Sequence, residues 1–69
     1  MEFMVGDKFE IIGLDDIYML VRFDNVIGLV DQETGETLGD DFTWVSKGDE
    51  ITTTTIDKLF GNWEWAKLI

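Results

Sequence analysis

Sixty-nine residues carrying fifteen acidic and five basic side chains, with no cysteine and no histidine, set narrow bounds on this chain. No disulfide framework or thiolate metal site can form, and the commonest metal ligand and the usual general base near neutral pH are both missing. The net charge of −10 opposes direct contact with nucleic-acid phosphates or anionic membranes, and it suits a basic protein surface as partner.

Stability must come from packing, in one domain close to the lower size limit for a self-sufficient core. Three Trp, five Phe and one Tyr supply the material, because each large aromatic buries about 150–250 Å². No apolar run reaches the roughly 18 residues of a membrane span and no signal-peptide core is present, so the expected location is the cytoplasm.

In chain order, Met1-Glu2-Phe3 precedes a second methionine. Glu-Phe is what a common cloning site encodes, so 1–3 are set apart as a cloning remnant or disordered start, and the domain is expected over 4–69. After Val5-Gly6-Asp7-Lys8, the alternation of Phe9 and Ile11 with Lys8 and Glu10 predicts a first strand with one buried face. Gly13-Leu14-Asp15-Asp16 reads as a loop.

The stretch from Tyr18 to Leu38 predicts strand, turn, strand, turn, strand. Asp24-Asn25 is a two-residue hairpin turn, and Gly35 stands where a type I turn with a bulge wants a left-handed residue. In the second strand Met19, Val21 and Phe23 share one face, while Tyr18, Leu20 and Arg22 share the other. The third strand, Val26 to Asp31, is apolar on both faces, and Gly28 inside it predicts a bulge, a bend or a close approach.

Gly39-Asp40-Asp41 is expected to kink the chain, after which Phe42 and Trp44 share a face and enter the core. Ser46-Lys47-Gly48-Asp49 is another turn, and the four threonines from Thr52 to Thr55 favour extended backbone. In the tail, Ile56, Leu59, Phe60, Trp63 and Ala66 fall on a helical stripe, but Gly61-Asn62 interrupts it. A single helical turn over Asp57 to Phe60 and then a closing strand is the preferred reading, a longer helix the alternative.

This layout, with its opening Val5-Gly6-Asp7-Lys8, evenly spaced hairpins and one helical turn before the last strand, resembles the SH3-like small barrels. The resemblance covers nearly the whole chain. It implies an all-β barrel of five to six antiparallel strands with a short helical turn near the C-terminus, and a non-enzymatic role in protein binding. Its size, acidity and want of catalytic groups also resemble small phage proteins that block host enzymes, some of them by imitating DNA.

Candidate chemistry is sparse. Asp31 to Glu36 has the look of a calcium loop, but glycine falls at its fifth place and Phe42 stands at the twelfth, where a bidentate Glu is needed. No enzyme activity, metal or cofactor is expected. Two features stand out: carboxylates concentrated in the turns, and more aromatics than a small barrel interior encloses. They nominate Asp15, Asp16, Asp40 and Asp41 as an acidic rim, and Tyr18 and Trp65 as exposed anchors, for docking on a basic partner. Rival expectations are a DNA imitator that occupies a host enzyme's nucleic-acid site, and a homodimer built through strand edges and tryptophans.

Overall fold

A computed structural model describes residues 3–38 and 42–68. Five strands, β1 (Lys8–Ile11), β2 (Ile17–Phe23), β3 (Val26–Asp31), β4 (Thr43–Trp44) and β5 (Trp65–Lys67), and one helix, α1 (Thr53–Phe60), make up the fold. The sheet runs β4-β3-β2-β1-β5 with every pair antiparallel, and it curls into a half-barrel with the SH3-like layout. The expected pairing of the second and third strands is present, and the tail returns to close beside β1.

Turn chemistry sets the β2–β3 pairing. Asp24 takes φ 58 in the two-residue turn, which places Phe23 opposite Val26 and, two steps further in, Val21 opposite Gly28. At the other end of β3, the Asp31 carboxylate accepts from the Glu33 and Thr34 amides at 2.8 and 3.2 Å. Gly35 turns through φ 77, and its N–H reaches the Asp31 carbonyl at 2.8 Å. Beyond this turn the expected strand shrinks to one bridge, Thr37 to Val30. Pairing with β3 resumes at Thr43 and Trp44.

Directly opposed residues in antiparallel pairs share a face, so the sheet sorts cleanly. Phe9, Ile11, Tyr18, Leu20, Ile27 and Leu29 point inward and are buried. The helix covers them with Ile56, Leu59 and Phe60, spaced i, i+3, i+4, while Val45 and Ile51 fill the flanks. The Phe60 ring meets Phe9 at 6.1 Å and Tyr18 at 6.3 Å, both near edge-to-face.

Several expectations need correction. The helix begins at Thr53, four residues before the single turn expected from Asp57, because Thr52 and Thr55 form a reciprocal cap: each hydroxyl accepts from the other's backbone N–H. The threonine run therefore starts a helix where β propensity alone favoured a strand, and Gly61, at φ 64, ends it with its N–H on the Asp57 carbonyl. Phe3, set apart as a cloning remnant, packs on the core. Its ring lies 5.6 Å from Phe9 and 5.8 Å from Trp65, and its backbone bridges Ile51. Phe42 and Trp44 share a face as expected, but it is the outer one.

Candidate functional site

The outer face of the sheet is unusually apolar for a solvated surface. Along β2 it carries Ile17, Met19, Val21 and Phe23; along β3, Val26, Gly28 and Val30; along β4, Trp44. The cause is in the sequence, since β2 and β3 are apolar at nearly every position and the helix covers only one side. Phe23 is 59% exposed and Trp44 70%, and they flank Val26 on neighbouring strands. Phe42, 43% exposed, lies against Gly28 and meets Phe23 edge-on with ring centroids 6.2 Å apart. Exposed aromatics grouped on one sheet face are the usual material of interface anchors.

The anchors named from the sequence sit elsewhere. Tyr18 is 9% exposed and faces the core, where it packs on Phe60. Its position opposite Phe9 puts it on the inner side of β2, the reverse of what an exposed anchor needs. Trp65 is half-buried: it stacks on Phe60 at 5.7 Å and 10°, and its indole N–H donates to Asp57 Oδ1 at 2.7 Å. Both are structural aromatics.

Of the acidic rim, Asp15 and Asp16 are exposed in the β1–β2 loop, while Asp40 and Asp41 lie outside the described residues. The Gln32 N–H bonds to the Ile17 carbonyl at 3.0 Å, which draws the β1–β2 loop toward the turn that carries Asp31, Glu33 and Glu36. A negative end results where β2 starts and β3 finishes. Phe23 and Trp44 stand at the other end of the β2–β3 pair, roughly 20 Å away at about 3.3 Å per residue. Near them Asp24 is offset by Lys47 at 3.7 Å. Asp15 and Asp16 thus lie away from Phe23 and Trp44.

The negative end has a chemical signature. Burial pushes the Tyr18 hydroxyl above its ordinary value near 10, and the Asp16 and Asp31 carboxylates push the same way. A folded-state value above the unfolded one means Tyr18 contributes stability that is intact below pH 10 and is lost as pH climbs through the raised value. Tyrosinate absorbance should therefore titrate above pH 10, with urea stability falling in the same window. Tyr18→Phe should flatten that fall, and an ordinary midpoint with no loss of stability would contradict the burial.

Among the described residues no group of three acidic side chains is placed to hold a metal ion, and no helix is long and apolar enough to cross a membrane. An open cleft of ≈ 390 Å³ is lined by Phe3, Met4, Val5, Arg22, Asp49, Glu50 and Ile51 among others. The Arg22 guanidinium there is committed to the Val45 and Asp24 carbonyls at 2.8 and 3.1 Å. No protein-family model matches the chain, and neither a curated protein nor a solved structure matches it.

Proposed function

We propose that this protein is a non-enzymatic binding module that docks the outer face of its sheet on a basic surface of another protein. The observation that carries the reading is the pair of exposed aromatics, Phe23 and Trp44, flanking Val26 on the face of the sheet away from the core. Such a face holds a partner by apolar burial, while the carboxylates where β2 starts and β3 finishes steer a positive surface toward it. A second copy is a poor occupant, because each chain carries a net charge of −10 and like charges repel.

The test starts from a partner recovered from cell extract and measures affinity across a salt series. Phe23→Ser and Trp44→Ser are each expected to cost about 2 kcal/mol or more, the range of interface hot spots, with the fold unchanged because neither side chain enters the core. Asp15→Asn with Asp16→Asn should flatten the salt dependence and slow association. Unchanged affinity in both aromatic variants would sink the reading. The negative end also favours a second reading, in which docking covers a nucleic-acid site on the partner; duplex DNA would then compete with this protein.

A further inference from the structure

Where β1 ends and β5 begins, the molecule carries an exposed patch that the docking face does not include. The β1–β5 register sets Ile11 opposite Trp65, and the Ile12 N–H extends the pairing onto the Glu64 carbonyl at 2.8 Å. One further step along that register brings Gly13 level with Trp63, whose N–H is held by the Phe60 carbonyl at 3.2 Å. The Leu14 N–H turns back onto the Ile11 carbonyl at 3.0 Å, which keeps Leu14 beside the end of β1. Ile12, Leu14 and Trp63 are all exposed there, Trp63 at 55%.

Single exposed apolar side chains are ordinary on a protein surface. Three of them on adjoining strand ends make a patch, and its surroundings are negative. Asp15 and Asp16 follow Leu14 in the loop, Glu64 follows Trp63, and all three carboxylates are exposed. Neither contributing stretch, 9–21 or 59–66, contains a lysine or an arginine. Lys8, Arg22 and Lys67 border these stretches at the far ends of their strands, and Lys58 lies in α1.

We propose that this patch is a second contact site, which receives an arginine side chain from a basic protein partner. An indole ring attracts a cation over its face through the ring quadrupole. A guanidinium is planar and weakly hydrated, so it stacks on such a ring while its N–H groups reach a carboxylate; an ammonium acts only as a point charge. Ile12 and Leu14 supply apolar surface for the aliphatic stem of the arriving side chain. Charge complementarity selects this occupant. An apolar patch edged by three carboxylates, on a chain of net charge −10, disfavours acidic partners and a second copy alike. The inference rests on the reading above for the basic partner alone, because Phe23 and Trp44 lie at the other end of β2 and toward the opposite edge of the sheet.

The experiment titrates an acetylated tetra-arginine amide into the full chain while backbone amide and indole N–H shifts are followed, with tetra-lysine as a control of equal charge. Tetra-arginine should saturably shift the Trp63 indole and the Ile12 and Leu14 amides, and leave the Trp44 indole in place. It should bind about threefold or more tightly than tetra-lysine, the difference coming from stacking rather than charge. Trp63→Ala should erase that preference, whereas Asp15→Asn with Asp16→Asn should weaken both peptides. Should Trp63→Ala lose its fold, Trp63→Leu keeps apolar bulk without the ring face and carries the same expectation. Equal affinity for the two peptides in wild type, or equal shifts at Trp63 and Trp44, would overturn the proposal and leave only diffuse attraction to a negative chain. Retained partner affinity in Phe23→Ser and Trp44→Ser refutes the docking face, whereas failure of the peptide titration refutes the Trp63 site alone.

Discussion

Phe9→Ala is expected to leave the protein largely unfolded at 25 °C. Phe9 is 0% exposed and is the ring on which the others converge: Phe3 at 5.6 Å, Trp65 at 5.6 Å and Phe60 at 6.1 Å. It also lies on β1, which pairs with β2 on one side and β5 on the other. Truncation would therefore open a cavity beneath the N-terminal segment, the helix and the last strand together. Removing a buried phenylalanine costs about 3–5 kcal/mol, and a chain of this length commands only about 3–10 kcal/mol in all. Far-UV circular dichroism and urea unfolding would register the loss. Phe9→Leu, which keeps most of the volume, should fold with a smaller deficit. A loss below about 1 kcal/mol for Phe9→Ala would mean the ring cluster is not the core.

Trp65→Ala should cost about 3 kcal/mol of stability, and this result separates a structural tryptophan from a partner anchor. Its indole spans three rings, those of Phe3, Phe9 and Phe60, and its N–H is taken by the Asp57 carboxylate. The hydrogen bond joins β5 to the helix, so the closing strand and the helix are fastened by one side chain. An anchor held out for a partner would tolerate the same change with little effect on urea stability. Trp65→Phe should recover much of the stacking without the hydrogen bond. Asp57→Asn keeps an acceptor oxygen and should lie within about 0.5 kcal/mol of wild type, the range of ordinary surface changes. Partner affinity per folded molecule should be unaltered in all three variants.

Both results bear on which aromatics are available for binding. Stability draws on Phe3, Phe9, Tyr18, Phe60 and Trp65, which form one connected set of rings. Phe23, Phe42 and Trp44 stand outside it on the opposite face of the sheet. The two sets can be altered independently, so stability and docking separate cleanly in mutants.

Local rules written in the sequence determined a good deal by themselves. Asp24-Asn25 dictated a two-residue hairpin, Gly35 a left-handed turn and Gly61 a helix end, because few residues accept those backbone angles. Alternation and turn spacing pointed to a mostly β fold, and composition excluded cysteine and histidine chemistry. Tertiary structure alone decided which face of β2 and β3 turned inward. Both faces of those strands are apolar, so alternation carried no preference, and a shift of one residue exchanges every side chain between core and surface. Pairing with Phe9 put Tyr18 inside, and Phe23 and Trp44 were left on the surface. The threonine run was settled the same way: β-branched residues lean toward strand, but a reciprocal cap and three side chains buried against the sheet outweighed that lean.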